Sequence, residues 1–275
     1  MARDCSNTSC TQESCEACPS RQGTADFAAP VNGKSRIKKV IGIVSGKGGV
    51  GKSTVTGLLA VALSRQGYKV GILDADVTGP SIPHLFGIRE VPGATEEDML
   101  PVQTATGLKI ISVNLLLEDP SAPVIWRGPV LASVIKQFWS NVIWGELDYL
   151  LVDLPPGTGD VPLTVFQSLP LDGILLITSP QSLVGMVVEK AWHMAEMMHI
   201  PVLGVIENYS YLRCPDCGRE IPVFGGKKNS DTWAEAKGLP LLLRLPLDPA
   251  IGAYGDEGKL ESWPGRELEQ VIQYL

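Results

Sequence analysis

Several things are scarce in this chain of 275 residues. No window of about 18 apolar residues is free of charge, so no segment reads as a membrane span, and the start "MARDCSNTSC" lacks the apolar core of a signal peptide. Lysine and arginine never form a run, and the net charge is −7, which argues against nonspecific binding to nucleic acid. The guanine-reading pattern N-K-x-D is missing, and the three histidines, His84, His193 and His199, have no ligand spacing to one another. Cysteine is absent from residues 19–213. These absences point to a cytoplasmic protein without membrane or nucleic-acid partners.

What is present is a hydrophobic content of 44%, enough to bury a full core. Residues 1–36 are rich in Ser, Thr, Asn, Asp, Gly and Pro with no periodicity and read as a flexible, Cys-rich tail. Residues 37–275 read as one domain. There "VIGIVS" reads as a strand, Lys52 to about Gln66 as a helix, and "VGILDAD" as the next strand. Val55, Leu58, Leu59, Ala62 and Leu63 share one face of that helix, and Gly67 follows as a C-terminal cap. Further strands read at "LKIISV", "DYLLVDL", "GILLITS", "PVLGVIE" and "PLLLRLP". Such continuous apolar runs suit strands covered on both faces. The expected fold is α/β, a mostly parallel, doubly wound sheet flanked by helices.

Gly46–Ser53 fits G-x-x-x-x-G-K-[ST] between a strand and a helix, the context in which that pattern cradles phosphates. Gly46, Lys47, Gly48, Gly49, Val50 and Gly51 form the loop. Lys52 is expected to reach the β and γ oxygens, Ser53 to ligate Mg²⁺, and Thr54 to sit near the α-phosphate of ATP. Carboxylates must hold the Mg²⁺ waters and orient the attacking water. Asp74 and Asp76 close one strand and Asp153 another, with Asp160 seven residues on. In an open parallel sheet all of these lie at the ligand-binding edge. Asn208 ends a later strand, where it suits either a purine edge or a turn.

Cys214-Pro-Asp-Cys217-Gly puts two thiolates on one tight turn, half of a four-sulfur site. Iron–sulfur, zinc and a purely structural turn are all open from spacing alone. A two-fold axis beside the turn would complete four ligands. Cys5, Cys10, Cys15 and Cys18, spaced C-x4-C-x4-C-x2-C, could wrap a second centre of iron–sulfur or zinc, act in redox chemistry, or hold nothing.

The loop "GKGGVGKST" resembles the deviant Walker A motif of the MinD, ParA and nitrogenase iron protein class of ATPases. In that class the extra lysine, here Lys47, crosses a dimer interface to the facing nucleotide. Within the class, "DADVTGPSIPHLFG", "WRGP", "DYLLVDLPPGTGD", "SPQ", "IENYSY" and "CPDCG" together resemble the Mrp family of iron–sulfur cluster carrier ATPases. The resemblance implies a homodimeric ATPase in which Asp76 is the switch I aspartate, Asp153 the switch II magnesium-side aspartate and Asn208 an adenine contact. It also implies that Cys214 and Cys217, with the same pair from a second subunit, bridge a [4Fe-4S] cluster passed to apo iron–sulfur proteins. The N-terminal cysteines are similar to those of relatives with an extra cluster, although their spacing departs from the wide spacing of the eukaryotic cytosolic branch. Two alternatives accompany this reading: a positioning ATPase like MinD or ParA, and a reductase like the nitrogenase iron protein. For the first, "RELEQVIQYL" puts Leu268, Val271, Ile272 and Leu275 on one face, but its polar face is acidic, which suits core packing better than a membrane.

Overall fold

The computed structural model describes residues 29–76, 79, 81–117, 128–180, 184–224 and 229–275. The strands are β1 (Arg36–Ser45), β2 (Val70–Asp74), β3 (Gly93–Ala94), β4 (Met99–Leu100), β5 (Val102–Gln103), β6 (Lys109–Ser112), β7 (Glu146–Asp153), β8 (Gly173–Thr178), β9 (Val202–Arg213), β10 (Glu220–Pro222) and β11 (Leu241–Pro246). The α-helices are α1 (Lys52–Arg65), α2 (Ile82–Leu85), α3 (Gly128–Ser140), α4 (Asp160–Ser168), α5 (Val184–Met197), α6 (Asn229–Ala236) and α7 (Pro249–Asp256).

The main sheet runs β10-β9-β8-β1-β7-β2-β6-β5, with β11 also paired to β9. It is parallel from β6 through β8 to β9 and β11, and only the short β5 and β10 run antiparallel. The mostly parallel, doubly wound sheet expected from the apolar runs is what forms. Side chains alternate between two cores. Val40, Val44, Leu150 and Val152 pack with α3, α4 and α5 on one face, while Ile41, Ile43, Ile72 and Leu151 pack with α1 on the other.

One boundary differs from expectation, and the C-terminal segment packs into the core as expected, though with a different winding. Residues 29–35 are tied to the domain, since the Ala29 N–H donates to the Ser168 carbonyl, the Ala29 carbonyl accepts from Trp139 Nε1, and Asn32 is buried. Composition assigned them to the tail because polar residues carry no burial pattern. At the other end the amphipathic segment forms a 3₁₀ helix over Glu267–Tyr274. Leu268 and Val271 are buried beside Leu58 and Leu59 of α1. The Arg65 guanidinium holds this region by donating to the carbonyls of Glu261, Trp263 and Gly265. Among the described residues, no helix is long and apolar enough to cross a membrane.

Candidate nucleotide and metal sites

The loop Gly46–Gly51 leaves the carboxyl end of β1 and opens α1. Gly49 and Gly51 have φ of +80° and +78°, values that side-chain-bearing residues avoid. No side chain caps α1 and its first turn holds no acidic residue. Helix starts usually have one or both, so these N–H groups and the helix dipole are left for an anion. Ser45, residues 47–54, Asp76, Gly79, Ser81 and Pro156 line a cavity of about 230 Å³ here. Lys47 is exposed on its wall, while Lys52 is buried to 6% exposure.

Lys52 Nζ lies 2.8 Å from Asp153 Oδ2 and 3.8 Å from Asp76 Oδ2. The Ser53 hydroxyl donates to Asp153 Oδ2 at 2.5 Å. Thr56 Oγ1, one turn further along α1, donates to Asp153 Oδ1 at 2.7 Å. The sheet register sets Asp74 of β2 directly beside Asp153 of β7 on one side and Ser112 of β6 on the other. The Ser112 hydroxyl and the Asp76 N–H donate to the Asp74 carboxyl at 2.9 and 3.1 Å. Burial, and then the negative charge of Asp153, push the Asp74 carboxyl up to about 8. Two carboxyls, of Asp153 and Asp76, thus lie at 2.8 and 3.8 Å from one ammonium, with Asp74 beside Asp153 in the sheet. That surplus of negative charge, beside the Ser53 hydroxyl, suits a divalent cation, and Mg²⁺ takes one or two carboxylates plus phosphate oxygens rather than a protein cage. Asp160, by contrast, is exposed at the start of α4.

Asn208 is 4% exposed, and its Nδ2 donates to the Val50 carbonyl at 3.0 Å. One amide hydrogen therefore supports the phosphate loop itself. Residues that sequence reasoning left out are Thr56, Ser112 and Tyr209. Thr56 had a readable signal, a hydroxyl on the helix one turn after the motif serine. Ser112 and Tyr209 had none, because register and side-chain approach bring them in.

Cys214 and Cys217 lie on the turn joining β9 to β10, beyond the carboxyl edge of the sheet. The Cys214 N–H donates to the Arg219 carbonyl and the Gly218 N–H to the Cys214 carbonyl, both at 2.9 Å, with Gly218 at φ +68°. The N–H groups of Cys217 and Asp216, then the Cys217 thiol, hold the Cys214 thiol below its ordinary range. A stabilised thiolate is the metal-binding form. Cys214 is half-buried and Cys217 exposed, and among the described residues no group of three or more His, Cys, Asp or Glu is placed to hold a metal. The turn is a half-site open to the outside. Cys5, Cys10, Cys15, Cys18 and Arg127 lie outside the described residues.

A family model described as ParA, NUBPL iron-transfer P-loop NTPase, matches residues 36–274. An "iron-sulfur cluster carrier protein" of Clostridium perfringens is 47% identical over 235 residues, covering 82% of each chain. Another of that name from Methanocaldococcus jannaschii is 44% identical, covering 95% of this chain and 94% of its own. Among solved structures, a nucleotide-binding protein of Archaeoglobus fulgidus in complex with ADP and with Co is 44% identical with TM-score 0.75, covering 85% of this chain and 91% of that one. The cell division ATPase MinD of Pyrococcus furiosus shares the fold at 24% identity and TM-score 0.58, covering 86% of this chain and 97% of its own. The match across the whole described domain, together with near-full-length relatives, means that the chain belongs to the ParA/NUBPL family of iron-transfer P-loop NTPases.

Proposed function

We propose that this protein is an ATP-hydrolysing carrier that receives a [4Fe-4S] cluster at Cys214 and Cys217 and hands it to apo iron–sulfur proteins. The observation that carries the reading is the pairing of an uncapped phosphate-loop helix with an exposed, thiolate-stabilising CxxC turn at the same edge of the sheet. Relatives covering most of the chain carry the name iron–sulfur cluster carrier protein, which supports cluster as the cargo.

In this reading the loop Gly46–Gly51 and Thr54 hold the phosphates, with Lys52 on the β and γ oxygens. Ser53 and Asp153 hold Mg²⁺, which supplies charge neutralisation on the phosphates, and Asp76 orients the attacking water. Asn208 keeps its second amide hydrogen and its carbonyl oxygen for the adenine. Two thiolates make half of a four-thiolate site, so the acting species is a homodimer with its two-fold axis beside the turn. The same axis brings Lys47 to the partner's nucleotide, which ties hydrolysis to the dimer. A positioning ATPase finds less support, since the apolar side chains Leu268 and Val271 are spent inside the core.

Anaerobic reconstitution with iron and sulfide tests the reading, with iron, sulfide and zinc analysis and Mössbauer spectra on the full chain. Companion samples are a chain without residues 1–28 and that chain with Cys214→Ala and Cys217→Ala. About four irons per dimer in the shortened chain, lost in its double variant, is expected. Zinc alone at the pair would make the turn a structural staple and overturn the carrier reading.

A further inference from the structure

Strand β9 is a single element joining the two sites. At its middle, Asn208 donates to the Val50 carbonyl of the phosphate loop, and a Cβ placed on Gly51 would fall 2.3 Å from Asn208 Nδ2 and 2.7 Å from the Tyr209 hydroxyl. The loop residue just before Lys52 is therefore in direct contact with two consecutive side chains of β9. Five residues on from Tyr209, roughly 17 Å at the rise of a strand, is Cys214.

The ladder is interrupted at the contact. Arg244 of β11 pairs with Glu207 and Pro246 pairs with Tyr211, so two steps on β11 face four on β9. Asn208, Tyr209 and Ser210 form a bulge, and Tyr209 has φ +59°, one of two described non-glycine residues with positive φ. Both flanks are fixed. Before the bulge, Glu207 is 5% exposed and accepts from the Ser210 hydroxyl at 2.5 Å, with Arg244 Nε at 3.5 Å. After it, Tyr211 pairs with Pro222 of β10 and accepts from the Leu247 N–H at 2.7 Å. A sparsely populated backbone conformation held between two anchored stretches, and touching the ligand loop, is the arrangement of a switch point.

We propose that the Asn208–Tyr209 bulge couples the nucleotide loop to the cysteine turn. A shift of the loop at Val50 and Gly51 rotates the bulge, and β9 with β10 carries that rotation to Cys214 and Cys217. Tyr209 is a positioning residue: its hydroxyl rests on the loop, and its backbone sets the angle of the outer half of β9. The proposal rests on the reading of the turn as the cargo site and names how that site is regulated.

The test is hydrogen–deuterium exchange on the full chain, with and without Mg²⁺ and a non-hydrolysable ATP analogue, read on the amides of Cys214 and Gly218. Wild type, Tyr209→Phe and Tyr209→Gly are compared, with analogue affinity measured for each. The expected result is an exchange change of at least about fivefold in the wild type, the low end of coupling between sites. It falls toward onefold in both variants, each read at an analogue concentration that saturates it by its own measured affinity. No change in the wild type, or an undiminished change in Tyr209→Phe, overturns the coupling. The readout needs no iron, so a turn that responds to nucleotide but binds no cluster would sink the carrier reading and leave the coupling standing. On cluster-loaded protein, the analogue must change cluster affinity by the same factor by which cluster changes analogue affinity.

Discussion

Lys52 Nζ sits 2.8 Å from Asp153 Oδ2, with Lys52 at 6% exposure and Asp153 fully buried. A buried ion pair of this kind is costly to break from one side, because the remaining charge loses its partner in a poorly solvating site. Lys52→Ala is expected to lower unfolding free energy by about 3 kcal/mol and to weaken ATP binding at least tenfold. Urea denaturation and calorimetric titration check the two effects. Lys52→Met together with Asp153→Asn, which removes both charges, should recover stability but not binding.

Gly51→Ala is expected to fail for a local reason. The added Cβ would overlap Asn208 Nδ2 and the Tyr209 hydroxyl, and the φ of +78° disfavours any side chain. A loss of about 2 kcal/mol and of nucleotide binding is expected, while Gly67→Ala, at φ +85° but with nothing within 4 Å, should cost about 1 kcal/mol and leave binding intact. Thermal unfolding with and without ADP separates the two.

Asp74 makes stability depend on pH in a direction opposite to an ordinary salt-bridged carboxylate. Its folded carboxyl titrates near 8 and its unfolded one near 3.8, so between those values the folded state holds the extra proton. Rising pH therefore erodes its contribution from about 4 to about 8, with no further change above. Asp74→Asn removes that loss, so the variant should gain relative to the wild type between pH 5 and pH 8.5 in urea midpoints. A constant difference would show that Asp74 does not carry this proton.

Cys214→Ser with Cys217→Ser should leave the fold alone, because the turn is at the surface, its Cys214–Arg219 and Gly218–Cys214 backbone bonds do not use the side chains, and a serine hydroxyl can accept from the N–H groups of Asp216 and Cys217 in place of the thiol. Stability within about 0.5 kcal/mol and unaltered ADP affinity are expected, alongside loss of the metal attributed to this pair. Metal analysis and fluorescence titration on one sample check both.

The sequence revealed the parallel sheet because strands covered on both faces need unbroken apolar runs, as in "GILLIT" of β8. The phosphate loop was equally visible, since its chemistry depends on glycines and a lysine adjacent in the chain. What stayed hidden is non-local. Asp74 meets Asp153 only through the register of β2 with β7. The end of β9, Tyr211–Arg213, lies beyond the strand expected to end at Glu207; it is extended because β10 and β11 supply ladder partners past the Asn208–Ser210 bulge. The last segment has helical periodicity yet winds as a 3₁₀ helix, and its apolar spacing alone did not reveal that.

The packing of α1 bears on how the protein is made. Its apolar face is completed by Leu260, Trp263, Leu268 and Val271, with Leu260 so close that a Cβ on Gly57 would meet it at 2.6 Å. During synthesis the phosphate-loop helix emerges early, but its covering arrives some two hundred residues later. Until that stretch has left the ribosome, the helix presents an uncovered apolar surface for chaperones to shield, and nascent chains halted before it should be poor at retaining ATP.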